Sequence, residues 1–198
     1  MHRPDTVESP PFTGHAELAA AARGDRCAFE SLVRQHTPRM YRVALRIVGE
    51  STEAEDAVQD AWITAWRALP SYRGEAAPAT WLYRVATNAA LSRLRGRKST
   101  VPLDRAEVWV TEPTDAAPGP EASALHADDA ARVHRALSTL ESSQRAVLVL
   151  REFEGLSYEE IAEVLETSTS AVRSRLHRGR ASLLAVLRTS ADEDGSHG

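Results

Sequence analysis

Gly155–Arg180, GLSYEEIAEVLETSTSAVRSRLHRGR, reads as two short helices joined by a tight polar turn. Ser157 is placed to cap the first helix, and Glu160, three residues on, can reach back to it, which is the pattern of a capping box. Ile161, Ala162 and Leu165 supply that helix with an apolar face. Thr167, Ser168, Thr169 and Ser170 then break the pattern and offer side-chain oxygens for a second N-cap. Val172, Leu176, Gly179 and Leu183 fall on one stripe of the second helix. The opposite stripe is Ser170, Arg173, Ser174 and His177, flanked by Arg175, Arg178 and Arg180. This is the layout of a helix-turn-helix, whose second helix enters a major groove with polar groups at base edges and guanidinium groups near phosphates. The plainer alternative is a surface helix with a solvated basic face. The capped first helix, the short turn and the matching apolar stripe together favour DNA binding, although many regulators share the motif.

The 198-residue chain can hold one medium domain or two small ones, and its 42% hydrophobic content suffices for packed cores. No apolar run approaches the ~20 residues of a membrane span. The start, MHRPDTVESPPF, has no apolar signal core, so a cytoplasmic protein without membrane insertion is expected. The lone Cys27 cannot form an internal disulfide, and the histidines show no paired metal-ligand spacing. Neither a metal, a cofactor nor a small-molecule substrate is expected.

A net charge of −4 is unusual for a DNA binder, but the charge is unevenly placed. Between Ser99 and Ala130 the acids are Asp104, Glu107, Glu112, Asp115, Glu121, Asp128 and Asp129, against Arg105 alone. Between Arg173 and Arg188 there are arginines at 173, 175, 178, 180 and 188 and no acid. Local field governs encounter more than the total does. The balance still predicts weak binding to free DNA, and hence a protein that meets DNA beside a larger partner.

No β-hairpin signal is present, and the expected fold class is all-α. Helices are predicted over His15–Arg23, Arg26–Val48, Thr52–Ala68 and Thr80–Arg95, with a second capping box at Thr52 and Glu55. Helical pattern resumes near Ala131 and runs to Leu187, with breaks at Glu141–Ser143 and Glu154–Ser157. The expected organisation is two small helical domains, 15–97 and 131–188. A flexible acidic linker over 98–130 joins them, and disordered tails lie at 1–14 and 189–198.

In the first half, Val58, Ala61, Trp62 and Ala65 form an apolar stripe within EAEDAVQDAWITAW (Glu53–Trp66), with Asp56, Gln59, Asp60 and Ile63 on the adjoining face. In LPSYRGEAAPATWLYRVATNAALSRLRGR (Leu69–Arg97), Trp81, Leu82, Val85, Ala89 and Leu94 can face inward, and Arg84, Asn88, Ser92, Arg93 and Arg95 outward. The pattern E-D-x-x-Q-D, an aromatic-bearing loop, then T-W-L-x-R-x-x-x-N resembles region 2 of bacterial RNA polymerase sigma factors. LSTLESSQRAVLVLREFEGLSYEEIA, the turn and V-R-S-R-L-H-R resemble region 4. Two domains with only a linker between them look like the extracytoplasmic-function subfamily.

The resemblance implies a specificity subunit that binds core RNA polymerase and promoter DNA, with no catalysis of its own. On this basis Asp56, Gln59 and Asp60 dock on the polymerase clamp; as a bare pattern they are an ordinary solvated helix face. Tyr72 and its loop hold a base of the −10 element, since aromatic surfaces stabilise unstacked bases. Trp81 can assist, though a tryptophan on an apolar face fits a core role better. Arg84, Asn88, Ser92, Arg93 and Arg95 read and hold the −10 region. Ser168, Ser170, Arg173, Ser174 and His177 meet the −35 element, with Arg175 and Arg178 on phosphates. An anti-sigma factor is implied as a further partner. The chain departs from its relatives at Ala76–Ala79, where an aromatic is common, at Glu141–Ser143, where proline is usual, and at Glu166 and Ser170, where glycine is frequent. A positive φ at Glu166 would cost about 1 kcal/mol or more.

Two other function classes compete. A stand-alone helix-turn-helix regulator would bind palindromic DNA as a dimer without polymerase, but WLYRVATN has no counterpart in that class. An enzyme would need a nucleophile motif, P-loop or metal spacing, and none is found.

Overall fold

The computed structural model describes residues 15–72, 77–100 and 132–195, with the backbone alone for 97–100 and 189–195. Residues 1–14, loop residues 73–76, the linker from 101 on and 196–198 lie outside them, whereas 98–100, expected in the linker, and 189–195, expected in the second tail, are described and helical. Within the described residues every regular element is helical. The order is α1 (His15–Ala22), α2 (Arg26–Val48), α3 (Ser51–Ala68), a 3-10 turn (Leu69–Ser71), α4 (Pro78–Thr100), α5 (132–138), α6 (Ser142–Leu148), a π turn (Val149–Phe153), α7 (Tyr158–Val164) and α8 (Thr169–Gly195). No described helix is long and apolar enough to cross a membrane.

Local chemistry sets the helix ends. Asp25 caps α2 by accepting the Ala28 N–H at 3.1 Å, and Gly49, at φ 90°, closes it with an N–H donated to Leu45 O. The chain turns at once into α3, which starts at Ser51 with Glu50 as an extended N-cap that makes no side-chain bond. The capping box expected at Thr52 and Glu55 is therefore absent: Thr52 already lies inside the first turn, and the first ladder bond runs from Ala54 N–H to Glu50 O. The other end of the bundle differs too, since α4 extends from Pro78 to Thr100 rather than from Thr80 to Arg95. A proline early in a helix lacks only an N–H that would have had no partner there.

α2, α3 and α4 form a bundle with α1 laid against α2. Ala54, Ala57, Ala61 and Ala65 are fully buried, so small side chains let α3 approach its neighbours closely. In the second half, α8 packs on both α6 and α7, and more on α6. A methyl group built on Gly179 would sit 2.9 Å from Leu148 Cδ1, so hydrogen at this position permits the α6–α8 approach.

The helix-turn-helix forms as its caps require. Ser157 Oγ accepts the Glu160 N–H at 3.2 Å while Glu160 accepts the Ser157 N–H at 2.7 Å. α7 closes with Thr167 N–H on Ala162 O at 2.9 Å and Glu166 N–H directed to Glu163 O, the bond pattern of a Schellman motif. Glu166 takes the left-handed position at φ 49°, where glycine is usual. Glu166→Gly is expected to stabilise the fold by about 0.5–1 kcal/mol, because relief of the Cβ clash outweighs the entropy gained by the unfolded chain. A denaturant midpoint that stays put or falls would show that the exposed Glu166 side chain offsets the strain.

The two halves do not stand apart. Their buried residues form one continuous core, and α4 touches α6 and α7 as well as α2 and α3. α4 accordingly buries Tyr83, Ala86, Thr87 and Ala90 in addition to Trp81, Leu82 and Val85. Arg145 of α6 is only 6% exposed and donates to Ile47 O at 2.5 Å, Ser138 O at 2.6 Å and Leu140 O at 3.1 Å. Its charge lies at the carbonyl end of α2, where the helix dipole favours a cation. Glu154, with a 5% exposed side chain, accepts from Arg39 Nε at 2.8 Å and Tyr83 Oη at 2.5 Å. A carboxylate so buried requires such partners. Burial first, and then the adjacent Glu154 charge, push the Tyr83 phenol well above its ordinary range.

Candidate nucleic-acid interface

The reading helix of the helix-turn-helix is α8. Ser168 is its N-cap: its Oγ accepts the Ala171 N–H at 3.2 Å and lies 2.9 Å from Ser170 Oγ. Val172, Leu176 and Gly179 are buried and Leu183 is half-buried, so the apolar stripe faces the fold. Ser170, Arg173, Ser174, His177 and Arg178 are all exposed, and Arg175 is half-exposed. The basic face thus points outward at the N-terminal turns of a long helix, where a major groove can be reached. Arg173 lies over the Tyr158 ring at 5.8 Å, which orients it without a carboxylate. Arg180 is differently placed, held by Glu152 at 2.6 Å. Its hydrogen bond to Glu152 raises its pKa further.

The second face is a cleft of about 1040 Å³ between α3 and α4, lined by Asp60, Thr64, Trp81, Arg84, Asn88 and Ser92 among others. Asn88, Ser92 and Arg95 are exposed in it. Trp81 is 9% exposed, so most of its surface belongs to the core. Tyr72 is half-buried with its ring 5.5 Å from that of Trp81, and burial raises its phenol pKa. The rest of the loop expected to hold a base lies at 73–76, outside the described residues.

Two arginines of this cleft are already engaged. Arg84 donates to Glu163 of α7 at 2.9 Å, so the helix-turn-helix half partly covers it. Arg93 is held by Asp56, Asp60 and Glu53 of α3. Hydrogen bonds to Asp60, ahead of the other contributions, raise its pKa.

The outer face of α3 carries Asp56, half-exposed, with Gln59 and Asp60 exposed. Beside them Ile63 and Trp66 expose 43% and 41% of their surface. Trp66 rests on the Phe29 ring at 4.7 Å, and Trp62 donates its indole N–H to Thr37 Oγ1 at 2.9 Å. An exposed acidic and amide rim beside apolar side chains suits a basic, partly apolar protein surface.

Sequence reasoning did not single out Glu154, Glu163, Arg39 or Tyr83 as partners. Tyr83, Ala86, Thr87 and Ala90 do repeat at helical spacing, and this second small or apolar stripe on α4 was a legible sign of burial on more than one side.

The Sigma-70 region 2 family profile matches residues 32–100, and the Sigma-70 region 4 profile matches 130–183. The chain is 40% identical over 164 residues to the RNA polymerase sigma-H factor of Pseudomonas aeruginosa, covering 80% of this chain and 85% of that protein. It is 37% identical over 172 residues to the ECF RNA polymerase sigma factor SigM of Mycobacterium tuberculosis, covering 86% and 82%. A solved structure of CnrH in complex with the cytosolic domain of CnrY superposes with a TM-score of 0.63 at 30% identity, covering 87% of this chain and 96% of that one.

Proposed function

This chain belongs to the extracytoplasmic-function family of RNA polymerase sigma factors and directs promoter-specific transcription initiation; on that premise we propose a division of labour among its faces. Asp56, Gln59 and Asp60, with exposed Ile63 and Trp66 beside them, dock on core polymerase. The α4 side of the cleft, with Asn88, Ser92 and Arg95, meets the −10 element, where Tyr72 supplies the aromatic surface. The exposed face of α8 reads the −35 element: Ser170, Arg173, Ser174 and His177 at base edges, Arg175 and Arg178 on phosphates. Ser168 acts first as the cap that presents this face.

The observation that carries the proposal is the pairing of faces: an acidic–apolar rim and the exposed Asn88, Ser92 and Arg95 of α4 in the first half, and in the second a face of α8 whose Arg173, Arg175 and Arg178 have no carboxylate partner among the described residues. Division into two units, 15–97 and 131–188, follows the same logic. In the packed arrangement α7 lies on α4, so engagement of both promoter elements requires the halves to part. Parting breaks the exposed Arg84–Glu163 pair, worth at most about 1 kcal/mol, but also the buried Glu154–Arg39 and Arg145–Ile47 contacts, so binding to polymerase and DNA has to offset that cost. The protein itself performs no chemistry, and it works where polymerase does, in the cytoplasm. CnrH is bound by the cytosolic domain of CnrY; by analogy we infer a protein inhibitor, an anti-sigma factor, for this chain.

The test is transcription in vitro with core polymerase on a library of upstream sequences. Start sites should cluster downstream of one two-part motif only when this protein is added. Binding to palindromic DNA as a dimer, with no effect on polymerase, would instead establish the stand-alone regulator.

A further inference from the structure

Arg93 stands on the helix assigned to DNA, yet its guanidinium reaches across the cleft to the helix assigned to polymerase. Nη1 lies 2.7 Å from Asp56 Oδ2 and 3.5 Å from Glu53 Oε2, while Nε and Nη2 lie 3.1 and 2.9 Å from Asp60 Oδ2. Three carboxylates face one guanidinium, so the cluster keeps a negative balance. All four side chains are between 30% and 53% exposed, open to water and to partners. Arg93 lines the same cleft as Asn88, Ser92 and Arg95. A DNA phosphate bound among those groups would therefore compete with the carboxylates for it.

We propose that Arg93 is an exchange contact that couples polymerase docking to promoter engagement. In the free protein the α3 carboxylates sequester it. Cationic groups of the polymerase that take Asp56 and Asp60 release it to a phosphate. The inference rests on the reading of α3 and α4 given above. It follows from valence: the guanidinium fork fits carboxylate and phosphate alike, and its donors cannot be given fully to both. Coupling of this kind is reciprocal, so DNA on Arg93 also frees Asp56 and Asp60 for polymerase. It gives the weak DNA binding expected of the free chain a local cause besides net charge.

The test is a cycle on the full chain: wild type, Arg93→Ala, Asp56→Asn with Asp60→Asn, and the three changes together. Folding of each is checked by thermal unfolding, and affinity for a labelled short single-stranded oligodeoxynucleotide is read at low salt. Arg93→Ala should leave the affinity within about 2-fold while the carboxylates are present. With both amides it should weaken binding on the order of 5-fold, the scale of one arginine at an anionic surface. In holoenzyme with core polymerase, Arg93→Ala alone should weaken promoter-fragment binding by a similar factor. Equal weakening in both free-protein backgrounds would make Arg93 an ordinary DNA contact and overturn the exchange. Absence of weakening in both backgrounds and in holoenzyme would reduce it to a structural strut and overturn it equally. Asn88→Ala and Arg95→Ala on the same oligonucleotide report on the underlying reading: if they too change nothing, α4 is not the DNA face.

Discussion

Replacing Arg145 with methionine is expected to destabilise the protein by about 3–5 kcal/mol, because three carbonyls lose a buried donor at about 1–3 kcal/mol each. Methionine retains much of the volume but no donor. The carbonyls of Ile47, Ser138 and Leu140 then lose their partner inside the fold. Each buried acceptor left empty carries its full desolvation cost, which is larger than the net gain from a hydrogen bond that is made. The removed charge also stood at the carbonyl end of α2, where it is favourable. At roughly 2–4 °C per kcal/mol for a chain of this size, Tm should fall on the order of 10 °C. Arg145→Lys should fall between, since an ammonium donates but lacks the planar fork that reaches several carbonyls at once. Thermal unfolding of the three proteins decides the matter. A methionine variant within about 1 kcal/mol of wild type would mean that water replaces the guanidinium and that α6 is not anchored to α2 through it.

Arg173→Ala and Arg178→Ala should both weaken promoter binding by the holoenzyme, but in distinguishable ways. Arg173 shares the outward stripe of α8 with Ser170, Ser174 and His177, and Tyr158 supports it from below. As a base contact it is worth about 1–3 kcal/mol, so its loss should cost roughly 5–150-fold at the preferred −35 sequence and flatten discrimination at one position. Arg178 as a phosphate contact should weaken all sequences alike and lower the slope of log affinity against log salt by about 1. Binding measured on the native −35 element and on single-base variants, at several salt concentrations, separates the two patterns. Uniform losses for both would assign Arg173 to the backbone. No loss for either would remove α8 from the promoter altogether.

The helix-turn-helix was legible because its determinants are local. Ser157 and Glu160, Ser168 and Ala171 N–H, and Val172 and Leu176 all sit within one helical turn of each other, and hydrogen-bond geometry over that range is dictated by residue type and spacing. The left-handed turn at Glu166 was legible as a cost for the same reason. The failure at Thr52 is instructive: a capping pattern is also local, but whether the helix starts one residue earlier depends on where Gly49 ends the helix before it. Arg93 shows a second limit. Its outward position on α4 followed from periodicity, but its partners lie 33–40 residues away on another helix.

What the residues determined unaided is the inventory: an all-helical chain, its caps and breaks, an arginine-bearing reading helix, an acidic α3 face, and motifs specific enough to resemble one family. Periodicity and capping carry that information because they are satisfied within a few residues. Only the tertiary structure decided which charges are spoken for. Glu154 meets Arg39 across 115 positions and Tyr83 across 71, and Arg145 reaches Ile47 across 98. Such pairs obey no spacing rule. They exist because closing the core brings distant groups into a medium where an unmatched charge or carbonyl is expensive, and that closure is a property of the whole chain.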